Sequence, residues 1–498
     1  MTINSPTRLE SSISGTLSGR NQHVRIGNIG LGIELIVDYY HFNNMSDQIK
    51  QNGDIKEVRH RAIVSSIPFL FIVGTAIFFV SFLLSSFPIS RQPLEIQQIQ
   101  QVYFADNISD GHRALIKAFN EAHQGEVEVI AVDLPFSKFN TNQRKDLIAR
   151  NLRSSSSRID IFAVDLIWVP RFTKWAEPVA PYFSPNFLGH LLSESLETCY
   201  VDGLLYAVPL YIDIGALLYR EDMILALPDG EAINERIKAS ISWEELLQIA
   251  DKYFPDQAVY MPQAQAYEGL ICNFNEILGQ SLLDPQTGEI VDLTDSLIVA
   301  RIQFMRDLIT SGKSPEEVLF MTEDDCIHYA LANDVPFIRG WPTANIHGGE
   351  RFDPTKFEKI RIAPLPHFKG SAPSPVFGGW NMMLSKHSPV KEAAIKFMRF
   401  AASFEGQQML FQSEGTLPVH SNFYLADFTP DEEREQLQSI YKMMKQGIHR
   451  PAVEKYTLIS DILSQRLHQI LAGELAADQG MQLAWEEVKA IQSEGTER

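Results

Sequence analysis

Aromatic and charged side chains recur directly after short apolar segments of the sequence, where they could combine into one binding surface. Aromatic rings cover an apolar face with a large rigid area, while carboxylates and arginines can each bond two neighbouring hydroxyl groups. A sugar presents both kinds of surface, so these residue types indicate carbohydrate binding. The set comprises Asp165 and Trp168 after 159–164, Tyr211 and Asp213 after 206–210, Arg339 and Trp341 after 335–338, and Gly379 and Trp380 after 376–377.

Each of these residues, taken alone, also has a purely structural explanation. Tryptophan is mostly buried in proteins, so any one Trp could be a core residue instead. Asp165 and Asp213 could cap helices or form turns. Recurrence at several predicted strand ends favours a shared site, because ligands of open α/β sheets lie at the carboxyl ends of the strands.

Composition and motifs argue against several other chemistries. The formal charge of −19 disfavours a nucleic-acid binder, which needs a basic face. The sequence has neither G-x-x-x-x-G-K-[ST] nor H-E-x-x-H, so we expect no ATP hydrolysis of that kind, no metal and no cofactor. Cys199, Cys272 and Cys326 lack ligand-like spacing; we expect buried apolar residues, and one disulfide is left open.

A membrane-anchored glycoside hydrolase is an alternative from a different functional class, since it also needs aromatic residues and carboxylates. It would require two carboxyl groups about 5–10 Å apart on either side of the bond to be cleaved. Asp165, Asp213 and Glu268 could supply such a pair.

Short apolar strands alternate with amphipathic helices beyond residue 100. This succession predicts an α/β fold with parallel strand pairing and right-handed crossovers. The predicted strands cover 101–105, 127–132 and 159–164, and the predicted helices 109–123 and 142–152.

Further helices are predicted from the signals at their starts. Ser242 and Ser314 each stand three residues before a glutamate, which is the spacing of a capping box. Ser388 followed by Pro389 predicts a helix through residue 404, with the proline at the first helical position.

One segment, 62–87, carries no charged residue and is long enough to cross a membrane, which takes about 20 apolar residues. Lys56, Arg59 and Arg61 precede it, which predicts a cytoplasmic N-terminus and an exported C-terminal part. The run exceeds a signal-peptide core and no A-x-A site follows, so we predict an uncleaved anchor. We expect 1–61 to be a disordered cytoplasmic extension, with Met45 as an alternative start, and 88–97 to be a linker.

Several segments in a fixed order carry a family resemblance. They include GLLYAVPLYIDIGALLYRED at 203–222, VPFIRGWPTANI at 335–346 and GTLPV at 415–419, together with 159–178 and 361–388. With these segments the chain resembles the extracellular solute-binding proteins of ABC sugar importers, of the maltose-binding-protein type.

The resemblance implies a two-lobed periplasmic-binding-protein fold of the hinge-closing type II, preceded here by the transmembrane helix. The first lobe would comprise 98–210 and 365–424, and the second 211–364 and 425–498. The hinge would fall near 211–214, 363–366 and 419–423.

The resemblance also implies a set of sugar-contacting residues and no catalytic residue. The set is Asp165, Trp168, Tyr211, Asp213, Tyr267, Glu268, Asn273, Arg339, Trp341, Gly379, Trp380 and Tyr456.

By the same resemblance, the ligand would be a disaccharide, an oligosaccharide or a glucoside, and the partners the permease subunits of an ABC importer with a separate ATPase. The chain would sit in the cytoplasmic membrane through its single helix, with the large domain on the periplasmic or extracellular side. Family members usually carry a cleaved signal peptide or a lipid-modified cysteine, and the segment 62–87 would replace these. A sensor that signals to a membrane kinase is a further alternative.

Overall fold

The computed structural model describes residues 71–72, 74–82, 99–135, 138–139, 141–154, 158–284, 287–343, 352–425, 431–453 and 455–493. The chain divides into a unit over 1–95 and a unit over 96–498. In the first unit, 71–72 and 74–82 are helical with exposed side chains. The predicted extension 1–61, the start at Met45, the linker 88–97 and the remainder of 62–87 lie outside the described residues. Within the described part of the chain, none of the helices has the length and apolar character needed to cross a membrane.

In the parts of the second unit that the structure describes, there are two main β-sheets and one small hairpin. The strands are β1 (Gln100–Asp106), β2 (Val127–Asp133), β3 (Ile161–Asp165), β4 (Tyr200–Val201), β5 (Leu204–Leu205), β6 (Ala207–Ile214), β7 (Ala216–Arg220), β8 (Tyr260–Met261), β9 (Phe337–Gly340), β10 (Ile360–Ala363) and β11 (Phe377–Leu384). The first sheet has the order β2-β1-β3-β11-β6 and the second β10-β7-β9-β8, while β4 and β5 pair only with each other.

Helices cover both sheets. Among the described residues beyond 99, the α-helices are α1 (Asp110–Ala122), α2 (Thr141–Arg153), α3 (Val169–Phe172), α4 (Pro185–Leu188), α5 (Ser193–Leu196), α6 (Glu221–Leu225), α7 (Gly230–Ala239), α8 (Trp243–Tyr253), α9 (Glu268–Leu278), α10 (Ser296–Thr310), α11 (Glu323–Asn333), α12 (Pro354–Phe357), α13 (Lys391–Ala401), α14 (Phe404–Glu414), α15 (Asp431–Met444), α16 (Tyr456–Leu471) and α17 (Ala477–Ser493).

Each main sheet has its own apolar core, and we call each sheet with its core a lobe. The first core gathers buried residues of β1, β3, β6 and β11 together with α1, α13 and α14. The second gathers those of β7 and β9 together with α8, α9, α10, α16 and α17. The predicted α/β class is confirmed, and the two cores give the fold its two lobes.

The predicted parallel pairing is confirmed for the strands from which it was inferred, β1, β2 and β3 of the first sheet. β1 pairs in parallel with β2 and with β3. β11, by contrast, enters antiparallel between β3 and β6. A strand that arrives from the far end of the sequence has no local signal that fixes its direction, so this pairing was missed.

The strands near the predicted site are longer than the sequence pattern indicated. Arg339 lies inside β9, and Gly379 and Trp380 lie inside β11, although we expected all three to follow strand ends. Glycines were read as the end of β11, but the pairing of β11 with β6 continues through Gly378 and Gly379. Tyr211 and Asp213 likewise lie inside β6.

Two of the predicted helix starts are wrong. Ser314 does not cap a helix: a short 3-10 helix, Glu316–Phe320, follows it with Pro315 as N-cap, and the nearby capping box belongs to Thr322. The hydroxyl of Ser388 donates to Asp160 at 2.6 Å, and α13 begins only at Lys391, beyond the proline. The capping box at Ser242 is confirmed.

The chain passes between the lobes at Gly215, over 364–376 and over 445–455. The helix α15 belongs to a different lobe than predicted, since the prediction assigned 425–498 to the second lobe. Its Leu437, Ile440 and Met444 are buried in the first core, so the chain does not cross at 419–423. The apolar stripe of a helix predicts that the helix packs against a core. It does not indicate which of the two cores that is.

Candidate binding site

Three neighbouring strands of the first sheet place Asp165, Trp380 and Tyr211 in one row. The register pairs Trp380 of β11 with Asp165, the last residue of β3. It pairs the same Trp380 with Tyr211 of β6. Directly opposed residues on antiparallel strands point to the same face of the sheet. Because β11 is antiparallel to its neighbours, its beginning lies beside their ends, which is where the sequence analysis expected the site.

Two glycines at the start of β11 allow close approaches that a larger residue would prevent. Gly379 has φ +135°, and a Cβ atom there would lie 2.6 Å from the carbonyl oxygen of Tyr211. A Cβ atom on Gly378 would lie 2.9 Å from the ring of Trp341, which follows β9 of the second lobe. The absence of a side chain at Gly378 therefore lets Trp341 of the second lobe pack against the sheet of the first lobe.

Trp168 and Trp380 form an aromatic pair beside Asp165. Their ring centroids are 6.1 Å apart in an edge-to-face arrangement. Lys145 of α2 lies 5.6 Å from the ring of Trp168. Both tryptophans are buried in the first core, so the packing role left open by the sequence is observed. The carboxylate of Asp165 also accepts a hydrogen bond from the amide of Ile167, as a cap of the following turn.

An aspartate and an arginine that the sequence analysis missed extend this row. Asp106 ends β1, and its Oδ1 lies 2.5 Å from Nη2 of Arg144 on α2. The guanidinium carbon of Arg144 lies 4.1 Å from the ring centroid of Trp380. The position of Asp106 at a strand end was a signal that could have been used, while Arg144 had none in the sequence.

The second oxygen of Asp106 faces His112 of α1, with Oδ2 and Nε2 3.2 Å apart. Burial alone would raise the pKa of Asp106, but the hydrogen bond from His112 and the charge of Arg144 outweigh it and hold that pKa below its usual range. Burial lowers the pKa of His112, and the bond to Asp106 more than compensates, so this pKa is raised. Asp106 is thus kept ionised inside the first lobe.

Arg450 is a second arginine that sequence reasoning missed, and it connects two predicted site residues. Its Nη2 donates to Oδ1 of Asp165 at 2.8 Å, and its Nη1 donates to Oε1 of Glu268 at 2.8 Å. Glu268 also accepts hydrogen bonds from Tyr456 and Ser460. Arg450 lies in the crossing segment 445–455, far along the sequence from both carboxylates. Sequence reasoning therefore did not find this role.

The pKa of Asp165 is raised, and burial is the main cause. The charge of Arg450 opposes this shift, while the nearby carboxylate of Glu268 adds to it. Arg450 is itself buried, with an exposed fraction of 3%. One guanidinium therefore compensates two carboxylates that little water reaches.

Asp213 lies further along β6 and is 7% exposed. Its Oδ1 accepts a hydrogen bond from the amide of Ile214 at 2.9 Å. Burial raises the pKa of Asp213 to about 7, and hydrogen bonding from Thr343 and the charge of Arg339 oppose the shift only in part. This carboxyl group can therefore exchange between donor and acceptor near neutral pH.

The side chain of Arg339 lies inside the second lobe, where its charge is paired with Glu276. Its Nε and Nη2 donate to the two oxygens of Glu276 at 2.9 and 2.6 Å. Its guanidinium carbon lies 4.0 Å from the ring centroid of Trp341. The guanidinium of Arg339 thus holds the ring of Trp341 in place. The side chain of Arg339 is itself buried.

Asn273 and Tyr267 lie apart from the row described above. Asn273 is fully buried on α9, where its amide donates to Gln263 at 2.9 Å and to the carbonyl of Gly269 at 2.8 Å. Tyr267 is the N-cap of α9, and its ring lies against Gly269. Both residues shape the start of this helix.

The side chains of the candidate site are aromatic or charged. Among the residues that the structure describes, no three His, Cys, Asp or Glu side chains are grouped so as to hold a metal ion. Cys199, Cys272 and Cys326 are buried and free, which answers the question of a disulfide. Aromatic rings and ion-paired carboxylates together offer the apolar and polar contacts that a polyhydroxylated ligand needs.

Comparison with known proteins gives consistent results. Residues 105–408 match the model of the family described as bacterial extracellular solute-binding protein. A probable ABC transporter-binding protein of Deinococcus radiodurans is 24% identical over 351 residues, which is 66% of this chain and 79% of that protein.

Solved structures share the fold. Maltose-bound MalE3 of T. maritima is 25% identical with a TM-score of 0.69, covering 78% of this chain and 99% of its own. An ABC transporter solute-binding protein of Thermotoga lettingae bound with α-D-tagatose is 21% identical with a TM-score of 0.68, covering 79% and 99%. The two-lobed fold that the sequence resemblance implied is confirmed.

Proposed function

The chain belongs to the bacterial extracellular solute-binding protein family, and from this premise we propose that it captures a sugar between its lobes for delivery to an ABC importer. The permease and a separate ATPase would be its partners. Closure of the lobes on the sugar would form the state that docks, because only contacts made better in one state can shift a conformational equilibrium.

The observation that carries this proposal is the row of Asp165, Trp380 and Tyr211 on the first sheet, with Trp341 of the second lobe packed against Gly378. The indole rings would cover the apolar face of a pyranose ring. Asp165 and Tyr211 would hydrogen-bond its hydroxyls, and the cross-lobe position of Trp341 would let one ligand touch both lobes.

The remaining site residues of the proposal fall into two groups. Trp168, Asp106, Arg144 and Arg450 would complete the first-lobe surface, since they contact the row directly or through one side chain. Asp213, Gly379, Arg339, Tyr267, Asn273 and Tyr456 would shape or support it from β6, β11, β9, α9 and α16.

Disaccharides, oligosaccharides and glucosides are the ligand classes that we favour. The T. maritima relative binds maltose, and the Thermotoga lettingae protein was solved with α-D-tagatose. A site with three tryptophans and several charge-paired polar groups would reject analogues that lack a hydroxyl, because its own polar groups would then be left unpaired.

Calorimetric titration of the full-length protein in detergent against maltose, trehalose, sucrose, tagatose and small glucosides tests the proposal. We expect binding without consumption of the sugar, weakened about 10- to 100-fold by Trp380→Ala, as befits loss of a buried aromatic contact. Trp175→Ala is the control, since Trp175 packs in the same lobe against Phe172 but outside the row. Formation of product would instead favour a hydrolase, and silence across the panel with folded protein would contradict sugar capture.

We further propose that the segment 62–87 anchors the protein in the cytoplasmic membrane, with the binding lobes on the periplasmic or extracellular side. The absence of charge over this segment and the helical state of 71–72 and 74–82 support this. Cell fractionation tests it: the full-length chain should stay in carbonate-washed membranes, and a variant lacking 62–87 should not. Recovery of both in the soluble fraction would end the proposal.

A further inference from the structure

Asp165 and Glu268 belong to different lobes, yet they share one cation. Asp165 ends β3 in the first sheet. Glu268 begins α9, whose Leu270, Ile271 and Phe274 are buried in the second core. A group that binds both carboxylates therefore joins the lobes.

Arg450 is that group, and the chain just before it is hydrogen-bonded to the start of β11. It follows Ile448, whose amide donates to the carbonyl of Pro375 at 2.8 Å and whose carbonyl accepts from the amide of Phe377 at 3.0 Å. This backbone pairing attaches the arginine segment to the start of β11. Whichever lobe Arg450 follows when the lobes separate, one of its two ion pairs must break.

The oxygens of Glu268 are directed at protein groups. Oε1 accepts from Arg450 and from the hydroxyl of Tyr456, and Oε2 accepts from Ser460 at 2.5 Å. With an exposed fraction of 5%, the side chain has little capacity left for a sugar hydroxyl. We propose that Glu268 is a positioning residue rather than a sugar contact: it holds Arg450 against Asp165 and so links the two lobes through protein groups alone.

The first turns of α16 add further polar contacts between the lobes. Arg171 of the first lobe donates to the hydroxyl of Thr457 at 2.6 Å, and Asn142 of α2 donates to Asp461 at 3.2 Å. These contacts lie on the same helix as Ser460, so Glu268 is the charged centre of a cross-lobe network. Charge pairs that are withdrawn from water lose more on separation than exposed pairs do.

The consequence is that the lobes remain associated for part of the time whether or not a sugar is bound. This inference goes beyond sugar capture and is independent of which solute is taken. Its test accordingly needs no ligand, so that its failure and the failure of the proposed function are distinguishable.

Distance measurement by double electron–electron resonance tests the link in the full-length protein without sugar. Lys117→Cys on α1 and Ser311→Cys after α10 place spin labels on exposed positions of the two lobes, and the native cysteines are buried. Glu268→Gln keeps the shape of the side chain and removes its charge. We expect the ratio of separated to associated lobes to rise about tenfold or more, the order expected for loss of a charge-assisted hydrogen bond.

Two further variants sharpen the result. Asp222→Asn weakens an ion pair with Arg220 that lies wholly within the second lobe, so it should leave the distance distribution unchanged. Ser460→Ala removes one hydrogen bond to Glu268 and keeps the carboxylate, so a smaller shift in the same direction is expected. It also carries the test should Glu268→Gln fail to fold.

The proposal is overturned if Glu268→Gln and Ser460→Ala both give the wild-type distance distribution. It is equally overturned if the wild-type protein without sugar shows only separated lobes.

Discussion

Asp213 illustrates how burial changes the chemistry of a single residue. Its pKa rises to about 7 in the fold, against 3.8 for an ordinary aspartate, with burial as the largest cause. A carboxyl group whose pKa is raised on folding stabilises the protein fully at pH values below its unfolded pKa. That contribution is lost as the pH rises through the folded value.

We therefore expect the protein to lose stability between pH 5 and pH 7.5 on account of Asp213, by roughly 2 kcal/mol. Asp213→Asn removes the titrating group, so the free energy of unfolding of this variant should depend less steeply on pH over that window. Urea unfolding of both proteins at the two pH values measures the difference. Parallel losses of stability in the two proteins would contradict the assignment.

At the residue scale, the sequence predicted the residues that follow apolar segments and missed those that come from elsewhere. Asp165 and Trp380 were predicted because a strand precedes each in the sequence pattern. Arg144 and Arg450 were missed because their partners, Asp106 and Asp165, are distant in the sequence. Asn273 carries a suitable amide, but the interior of α9 occupies it fully.

At the element scale, two serines with the same sequence signal have different fates. Ser242 caps α8, where its hydroxyl accepts from the amide of Glu245 at 3.2 Å and completes a capping box. Ser314 stands in the same spacing to a glutamate, but its buried hydroxyl has no hydrogen-bond partner among the described residues. A proline directly after Ser314 and the short 3-10 helix explain why the signal failed there.

This contrast gives a paired prediction. Ser242→Ala should lower the free energy of unfolding by about 1 kcal/mol, the usual effect of losing an N-cap. Ser314→Ala should leave it unchanged or slightly higher, because it removes a buried hydroxyl that makes no hydrogen bond. Chemical denaturation of the two variants decides the matter, and equal losses would mean that Ser314 also acts as a cap.

The start of β11 offers a second prediction at this scale. Gly379 has φ +135° and a carbonyl oxygen 2.6 Å from where a Cβ atom would stand, whereas Gly203 in the β4–β5 turn has φ +76° and open space. Both alanine variants should be destabilised by backbone strain, by roughly 1–2 kcal/mol. Gly379→Ala should lose more, since β11 must also move away from β6. Thermal unfolding compares them, and a larger loss for Gly203→Ala would contradict the close approach.

At the scale of the whole molecule, the sequence predicted two α/β lobes but not the full path of the chain between them. The crossing at Gly215 lies next to the predicted hinge at 211–214. The third crossing, over 445–455, was displaced because α15 returns to the first core. Which lobe a helix joins depends on contacts between distant segments, and those leave no periodic trace in the sequence.

A sugar that binds between the lobes should stabilise both of them. A ligand that binds only the folded state stabilises it by about 2.7 kcal/mol at 100 times its dissociation constant. If the sugar touches both lobes, as the placement of Trp341 against Gly378 suggests, β1 of the first lobe and β9 of the second should gain protection together. Amide hydrogen exchange with and without the sugar identified by titration measures this. Protection confined to β1 would mean that the sugar binds one lobe only, and that the second lobe closes through its own contacts, with Arg450 and Glu268 at their centre.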